Sequence, residues 1–483
     1  MCPMPGETEV AVIGSGAAGL SAALTAAEGG ARVMVFEKQR SLGGTANFIQ
    51  GIFAVESGMQ RKEYITYSRD EAFKAIMEYS HWRANPRLVR AIVNESAATI
   101  SWLQDQGVEF TAITINMPNA PRTYHVLKGR GEPAMKALAS RAKEKGVDIR
   151  PGVPAKRLIR QGERVVGLVV EEDGEERLVK ANTAVISAGG YANNKDWIKR
   201  YTGFDLGENI IPVGNVDKMG DGIRMAWEAG ASEEGLGLLE VNRVGPLGPE
   251  FAMACHLELA ASQPDLWVNA RGERFCDESI GFYDTPVGNA SARNREGYTF
   301  SLFDDSIKKL MLENGIERNV TIENMPGTRP VDLEKEMKAA LERGSTEVFA
   351  ADSVAGLASR LGMKGEVLEE TVAEYNQFCA QRHDDLFAKD PRYLRPLQGP
   401  RFYAIRAHTV FLGTMGGIKI NEKAEVIDKK ERVIPGLYAA GFDAGGLYGD
   451  SYCMRDASGL SSAFAFNSGR LAGRNALQLI GKI

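Results

Sequence analysis

The chain has 483 residues, with 58 Lys and Arg against 63 Asp and Glu, and a formal net charge of −5 at pH 7. This length exceeds what one hydrophobic core usually supports, so we expect two domains. Because there is no basic block, no run of about eighteen apolar residues and no leader-like N-terminus, we expect no nucleic-acid partner, no membrane span and no targeting segment. The composition is typical of a cytoplasmic enzyme.

The first predicted strand and helix enclose a dinucleotide-binding turn. An apolar run at 10–13 predicts a buried parallel strand, and a helix is predicted at 17–28. Between them, Gly14 allows a tight turn, Gly16 lets the backbone approach a pyrophosphate, and Gly19 lets the helix lie close to the strand. The helix N-terminus then points its amides and its dipole at the phosphates.

The second predicted strand, 33–37, ends in an acid. Glu37 stands at its C-terminal end, where a carboxylate can accept hydrogen bonds from both hydroxyls of a ribose. A 2′-phosphate would be repelled there. The spacing from the glycine-rich turn therefore favours an unphosphorylated dinucleotide.

Further along the chain, helical spacing and short alternating runs continue the α/β pattern. Helices are predicted at 86–106, 133–145, 222–229, 352–361, 364–382 and 460–479. Strands with a hairpin are predicted within 148–186, and a second buried strand at 184–188 ends in Gly189 and Gly190. Between about 240 and 350 the periodicity becomes irregular, which predicts an inserted domain. We expect the first part of an FAD-binding domain at 1–240, an inserted capping or substrate domain at 241–350, and the second part of the FAD-binding domain at 351–483.

A C-terminal segment indicates which dinucleotide is bound. Residues 435–441 read Pro-Gly-Leu-Tyr-Ala-Ala-Gly and are followed by Asp443 and by Gly459. Together with the first turn, this segment indicates FAD. The five cysteines are scattered and never spaced as Cys-x-x-Cys, and the five histidines show no metal-ligand spacing, so we expect no metal site and redox chemistry from an organic cofactor.

Eight motifs in a fixed order make the resemblance specific. They are GSGAAG at 14–19, FEK at 36–38, GGTAN at 43–47, AGGY at 188–191, GDG at 220–222, GERF at 272–275, TMGG at 414–417 and PGLYAAG at 435–441. In them the chain resembles the fumarate reductase/succinate dehydrogenase flavoprotein superfamily, which includes urocanate reductase and the 3-ketosteroid dehydrogenases. The resemblance implies an α/β fold, with a glutathione-reductase-type, Rossmann-like FAD-binding domain, an inserted α+β capping domain, and the active site between them.

The resemblance also implies a cofactor and a reaction. FAD would be bound non-covalently, and hydride would pass between flavin N5 and a carbon of a CH–CH or C=C bond adjacent to a carbonyl or carboxyl group. The residues expected to bind FAD are Gly14, Ser15, Gly16, Ala17, Ala18, Gly19, Glu37, Lys38, Gly43, Gly44, Thr45, Ala46, Asn47, Gly51, Val153, Ala188, Gly189, Gly190, Asp221, Gly441, Asp443, Gly459, Leu460 and Ser461.

The chain departs from fumarate reductases at the residues that bind dicarboxylates. Those enzymes typically carry His before Thr-Met-Gly-Gly, where this chain has Gly413, and an Arg proton donor where this chain has Phe282. Their Arg before the C-terminal Gly-Gly aligns with Arg455 only if the spacing to Gly459 is lengthened by one residue. We therefore expect a bulky or aromatic enone or enoate, steroid-like ketones included.

Four side chains are the catalytic candidates. Tyr448, Tyr452 and Tyr283 could donate to a substrate oxygen as negative charge develops there, or supply the proton to the neighbouring carbon. Arg455 could pair with a substrate carboxylate, or simply with the adjacent Asp456.

Two alternatives to a C=C oxidoreductase stay open at this point. One is an amine or hydroxy-acid oxidase on the same FAD scaffold, and the other is a non-catalytic flavin-binding sensor or assembly subunit. For an enzyme, the expected partners are a small-molecule substrate and a separate electron donor or acceptor, because the chain shows no haem or FMN motif.

Overall fold

The structure is a computed structural model that describes residues 6–115, 119–282, 284–318 and 324–483. Its α-helices are α1 (Ala17–Glu28), α2 (Gly58–Lys62), α3 (Arg69–Tyr79), α4 (Pro86–Asp105), α5 (Gly131–Glu144), α6 (Lys195–Thr202), α7 (Asp221–Glu228), α8 (His256–Ala261), α9 (Asp284–Ala292), α10 (Asp305–Asn314), α11 (Leu333–Glu342), α12 (Val354–Leu361), α13 (Gly365–Gln381) and α14 (Leu460–Leu479). Its β-strands are β1 (Glu7–Ile13), β2 (Val33–Glu37), β3 (Gly51–Phe53), β4 (Phe110–Thr114), β5 (Tyr124–Leu127), β6 (Asp148–Pro151), β7 (Ala155–Gln161), β8 (Arg164–Glu172), β9 (Glu175–Ile186), β10 (Ile211–Pro212), β11 (Glu233–Glu234), β12 (Leu239–Val244), β13 (Leu266–Val268), β14 (Tyr298–Asp304), β15 (Val348–Ala351), β16 (Phe402–Thr414), β17 (Gly417–Ile418), β18 (Glu425–Ile427) and β19 (Val433–Ala439).

The helices expected from apolar spacing are present with small shifts at their ends. Those predicted at 86–106, 133–145, 222–229, 352–361, 364–382 and 460–479 are α4, α5, α7, α12, α13 and α14, with ends that differ by two residues at most. Helix α4 begins as its sequence predicts. The Asn85 side chain caps it by accepting hydrogen bonds from the amides of Arg87 and Leu88, and Pro86 lies in the first turn.

The chain divides into two compact units. Unit 1 comprises Met1–Gly203, Gly214–Glu240 and Leu412–Ile483, and unit 2 comprises Phe204–Val213 and Val241–Phe411. The second segment of unit 2 ends at Phe411, whereas the inserted domain was expected to end at 350. The reason is long-range pairing that local periodicity cannot show: β16 pairs with β14 and β15, and side chains of α12 and α13 lie in the core of unit 2.

Unit 1 is built on a mostly parallel sheet with the order β18-β19-β9-β1-β2-β6. Strands β6, β2, β1, β9 and β19 run parallel to their neighbours, so their carboxyl ends meet at one edge, where α/β proteins usually bind ligands. The first half of β9 pairs antiparallel with β8, and β18 pairs antiparallel with β19.

Helices α1 and α14 approach each other closely because small residues line their contact. A Cβ at Gly469 would lie 2.2 Å from the Ala18 carbonyl oxygen, and a Cβ at Gly473 would lie 2.6 Å from that of Ala22. The C-terminal helix is therefore packed against the helix that follows the glycine-rich turn.

Unit 2 has a mixed sheet in which β10, β16, β14 and β13 are neighbours. The unit also contains a buried ionic cluster centred on Arg274 of the Gly-Glu-Arg-Phe motif. Arg274 donates to Glu278 (2.9 and 3.0 Å) and to Asp384 (3.1 and 2.8 Å), and Lys389 lies 3.1 Å from Glu278. All of these side chains are almost completely buried, so Arg274 serves the interior of the unit.

No helix among the described residues is both long and apolar enough to cross a membrane.

Candidate flavin and substrate site

The turn between β1 and α1 accepts only glycine at two positions. Gly14 has φ of 100°, and a Cβ there would lie 2.3 Å from the carbonyl oxygen of Ser187. A Cβ at Gly19 would lie 2.0 Å from the carbonyl oxygen of Gly14. Helix α1 begins after Gly16 without a side-chain cap, so its first amides can bind an anion. This is the local geometry that a pyrophosphate needs.

The Glu37 carboxylate is ordered by the same turn. Its Oε2 accepts from the amide (2.9 Å) and the hydroxyl (2.7 Å) of Ser15, and its Oε1 accepts from the amide of Gln39 (2.8 Å). An ionised carboxylate has about four acceptor sites, so these bonds do not exhaust it. Its expected contact with a ribose stays a prediction.

The predicted segment 43–47 lies directly beside this turn. The Gly43 amide donates to the Ser15 carbonyl (3.1 Å), and Gly43 has φ of 97°. The Asn47 amide group donates to the Leu42 carbonyl (3.0 Å), which closes a short 3₁₀ turn, and the Thr45 hydroxyl donates to the Gly214 carbonyl (3.2 Å). Gly44 and Ala46 belong to the same turn.

The C-terminal segment returns to the first turn through Asp443. This carboxylate is fully buried and accepts from the amides of Gly189 and Gly190 (3.0 Å each). Burial raises its pKa, while those amides and the nearby Lys218 oppose the rise. Gly441 has φ of 64°, and a Cβ there would lie 3.1 Å from that of Ala18. The two segments that indicated FAD are therefore neighbours in space.

Two lysines near this site differ in their surroundings. Lys38 pairs with Asp221 (2.9 Å) and Asp217 (3.1 Å), so an ion pair already engages two of the predicted cofactor residues. Lys218 was missed by the sequence analysis, which had no signal beyond a lone lysine before a Gly-Asp-Gly turn. Its Nζ lies 2.6 Å from the position that a Cβ on Gly189 would occupy.

The remaining predicted FAD residues lie at or next to the ends of strands and helices. The Val153 amide donates to the Glu37 carbonyl (2.9 Å). In β3, a Cβ at Gly51 would lie 2.7 Å from the His125 carbonyl oxygen. Gly459, with φ of 81°, precedes α14, and Leu460 and Ser461 lie in the first turn of that helix. Ala17 and Ala18 lie in the first turn of α1. Ala188 precedes the turn at Gly189.

Tyr448 and Tyr452 form a buried aromatic pair before α14. They are 2% and 3% exposed, and their ring centroids are 5.7 Å apart at an interplanar angle of 77°. The Tyr452 hydroxyl donates to the Ser461 hydroxyl and accepts from the Ser461 amide (3.3 Å each). The buried Tyr448 hydroxyl has no hydrogen-bond partner within the described ranges. Burial raises the pKa of both phenols well above the ordinary value, and the buried Glu240, another residue missed from the sequence, adds to both shifts.

The roles of the other two catalytic candidates stay predictions. Arg455 makes a bidentate contact with Asp456, with Nε–Oδ1 of 3.0 Å and Nη2–Oδ2 of 2.8 Å, and its side chain is half exposed. Tyr283 lies outside the described residues. At Gly413, a Cβ would lie 2.4 Å from the ring of Phe442, so this ring occupies the place of a side chain.

Comparison with known proteins supplies the family. The model of the FAD binding domain family matches residues 9–454. Vinyl phenol reductase of Lactiplantibacillus plantarum (strain ATCC BAA-793 / NCIMB 8826 / WCFS1) is 35% identical over 480 residues, covering 97% of this chain and 96% of that protein. The cytochrome-type fumarate reductase of Shewanella frigidimarina is 27% identical over 474 residues, covering 97% and 76%. The structure of 3-ketosteroid Δ1-dehydrogenase from Sterolibacterium denitrificans shares the fold, with a TM-score of 0.78, 20% identity and coverage of 98% and 100%.

The cradle of glycines at the β1–α1 turn fits the cofactor that the family model names. The similar proteins are reductases of carbon–carbon double bonds, which argues against both the oxidase and the non-catalytic alternatives. The chain belongs to the FAD binding domain family of flavoproteins, and it is an FAD-dependent oxidoreductase that acts on CH–CH groups.

Proposed function

We propose that this enzyme reduces a C=C bond conjugated to an oxygen through an aromatic or bulky framework, with vinyl phenols as the first candidates and enones as the second. The observation that carries the proposal is the fully buried Tyr448 hydroxyl, which lacks a hydrogen-bond partner in the described part of the chain. A buried hydroxyl left unpaired costs about 1–3 kcal/mol, so a substrate oxygen that pairs with it regains that energy. The 35% identity to a vinyl phenol reductase supports the first substrate class.

In both substrate classes, hydride transfer leaves a negative charge on that oxygen. Bound FAD in its reduced form supplies the hydride. For an enone, hydride reaches the β-carbon and the electron pair moves to the carbonyl oxygen. For a 4-vinylphenol, loss of the phenolic proton and protonation of the terminal carbon give a quinone methide, and hydride at the benzylic carbon returns the electron pair to the ring oxygen. The enolate is then protonated at the α-carbon, and the phenolate regains a proton at oxygen, so each route adds one hydride and one proton in total.

The tyrosine pair would act on that oxygen. A phenol donates a hydrogen bond that strengthens as charge develops, which is how an oxyanion hole accelerates a reaction. Because burial raises the pKa of Tyr448 and Tyr452 well above the ordinary value, both stay protonated and remain donors at neutral pH. Tyr283 remains a candidate for the proton that goes to carbon.

A small dicarboxylate is a poor candidate for the substrate. The Phe442 ring fills the space beside Gly413, where fumarate reductases typically carry His. The Arg455 guanidinium is bonded to Asp456, so binding a substrate carboxylate there would require it to exchange partners. Both observations favour an uncharged, apolar substrate.

The remaining features of the enzyme are proposals of the same kind. Unit 1 would be a glutathione-reductase-type, Rossmann-like FAD domain and unit 2 its capping domain, with FAD bound non-covalently by the residues named above. A separate electron donor would reduce the flavin. The thiols of Cys255, Cys276, Cys379 and Cys453 are free, which suits the reducing cytoplasm.

A matched pair of substrates tests the proposal. The enzyme, with chemically reduced flavin, is mixed with 4-vinylphenol, with 4-methoxystyrene, which cannot place a negative charge on its oxygen, and with fumarate. We expect 4-vinylphenol to reoxidise the flavin at ordinary enzymatic rates, about 1–10³ per second, with 4-ethylphenol as product. The methoxy compound and fumarate should react at least about a hundredfold more slowly. Fast reoxidation by fumarate together with none by 4-vinylphenol would overturn the proposal.

A further inference from the structure

The loop that carries Lys218 is held by two hydrogen bonds to Asn193. The Lys218 amide donates to the side-chain oxygen of Asn193 (2.8 Å), and the Lys218 carbonyl accepts from the Asn193 amide (2.9 Å). The chain then turns at Gly220, with φ of 82°, into α7. The direction in which the lysine side chain leaves this loop is therefore set by the fold, unlike that of an ordinary surface lysine.

The side chain leads to the turns that border the FAD-binding glycines. Its Nζ lies 2.6 Å from the position of a Cβ on Gly189, a residue with φ of 92°. One residue away, a Cβ on Gly14 would lie 3.2 Å from the Cα of Ala188, so the two turns are in contact. The Lys218 ammonium is thus placed in the same group of turns as the N-terminus of α1.

No hydrogen bond or ion pair joins this ammonium to any residue that the structure describes, although Asp443 and Glu37 are near enough to influence its pKa. Asp443 accepts from Gly189 and Gly190, and Glu37 accepts from Ser15 and Gln39. A partly buried cation without a partner is costly, and burial lowers the pKa of Lys218 to about 8. The charges of Asp443 and Glu37 oppose this shift, and that of Lys38 adds to it.

We propose that Lys218 is an ionic ligand of the FAD pyrophosphate, which completes the anion site at the N-terminus of α1. The pyrophosphate supplies the acceptor oxygens that the ammonium lacks, and the ammonium supplies a full charge where α1 contributes only its dipole and its first amides. A lysine acts on phosphate as a point charge, so its reach from a neighbouring loop suffices.

The same contact makes FAD affinity depend on pH. Below about pH 8 Lys218 is already charged in the protein without FAD, so binding needs no proton. Above that pH the ammonium is increasingly deprotonated, and binding must take up a proton, so the dissociation constant for FAD should rise by up to about tenfold per pH unit until the pKa of the bound state is reached. Asp217 and Asp221 form ion pairs with Lys38.

Titration of the full-length protein with FAD after flavin removal, followed by flavin fluorescence between about pH 6.5 and 9.5, tests the proposal. Lys218→Met should weaken FAD binding about 10- to 100-fold at pH 7 and remove the loss of affinity above pH 8. Lys218→Arg should keep the affinity at pH 7 and also remove the pH dependence, because arginine stays charged. Lys136→Met, which removes an exposed lysine paired with Glu132 on α5, is the matched control and should bind as the parent does.

The arginine variant separates a ligand from a structural residue. If Lys218→Met unfolds more easily without FAD, the flat pH profile of Lys218→Arg still reports on the contact. The proposal is overturned if Lys218→Met binds FAD as the parent does, or if Lys218→Arg loses affinity above pH 8 to the same extent as the parent. Because the readout is FAD binding, the result is independent of the substrate.

Discussion

The ring of Phe442 lies 2.4 Å from the place that a Cβ on Gly413 would occupy. Gly413 immediately precedes the Thr-Met-Gly-Gly motif, and Phe442 precedes the buried Asp443. These two residues, about thirty positions apart in sequence, pack against each other, and the Phe442 ring occupies the space that a side chain at position 413 would need.

The contact between the Phe442 ring and position 413 predicts that substitutions at the two residues have coupled effects on stability. Gly413→Ala should lower the free energy of unfolding by about 1–3 kcal/mol, because the new methyl group meets the Phe442 ring. Gly413 has no positive φ, so backbone strain does not contribute. In the double variant Gly413→Ala/Phe442→Leu the alanine should cost much less than in the parent. Thermal or urea unfolding of the four proteins in this cycle measures the coupling, and simple additivity of the two changes would contradict the predicted contact.

The tyrosine pair predicts opposite effects on stability for two similar substitutions. Tyr448→Phe removes a buried hydroxyl that has no partner among the described residues, so the substrate-free enzyme should be as stable as the parent or slightly more stable. Tyr452→Phe removes two hydrogen bonds to Ser461 and should lower the free energy of unfolding by about 1 kcal/mol. Unfolding curves of the FAD-loaded variants measure both. A clear loss of stability in Tyr448→Phe would show that its hydroxyl is already paired.

We expect that replacing Arg455 has little effect on turnover of an uncharged substrate. Because it is half exposed and bonded to Asp456, Arg455→Met should change stability by less than about 1 kcal/mol. It should also leave the KM for 4-vinylphenol nearly unchanged. Steady-state kinetics with an enoate and its methyl ester serve as the control: a raised KM for the acid alone would assign Arg455 to a substrate carboxylate.

The buried ionic cluster of unit 2 predicts sensitivity to acid. Burial alone would raise the pKa of Asp384, but the bonds from Arg274 outweigh it and lower the pKa to about 2. A carboxyl with a lowered pKa contributes its full stability above the unfolded-state value of about 3.9 and loses it as the pH falls towards 2. Asp384→Asn should therefore destabilise the protein at pH 7, by about 3–5 kcal/mol for a broken buried pair, and make unfolding between about pH 4 and 2 less steep. An acid transition as steep as that of the parent would contradict this.

The sequence predicted the parts of the site that depend on local spacing. Gly14 and Gly19 are at the expected turn and helix start because a strand, a tight turn and a helix follow one another directly, and Glu37 ends β2 as expected. The sequence also predicted that the C-terminal segment returns to that turn. Gly441 lies against Ala18, and Asp443 accepts hydrogen bonds from Gly189 and Gly190.

The remainder depends on contacts between distant segments. Lys218 and Gly189 meet because two positive-φ turns lie side by side, and Glu240 approaches the tyrosine pair from more than two hundred residues away in sequence. Unit 2 extends beyond the expected boundary at 351 because β16 pairs with β14 and β15, which no local pattern of residues 351–411 reveals. The Gly-Glu-Arg-Phe motif marks the family, yet Arg274 is occupied by a buried ionic cluster.

The most direct test of the central claim is the rate of a single turnover with and without the Tyr448 hydroxyl. Reduced enzyme is mixed with saturating 4-vinylphenol, and flavin reoxidation is followed in the parent, in Tyr448→Phe and in the control Tyr438→Phe, whose hydroxyl donates to the Asn475 carbonyl at the other end of α14. If Tyr448 stabilises the charge that develops on the substrate oxygen, its loss should slow reoxidation by about 10²–10³-fold with little change in substrate binding, while the control keeps the parent rate. Equal rates in all three proteins, with FAD fully bound, would contradict the account.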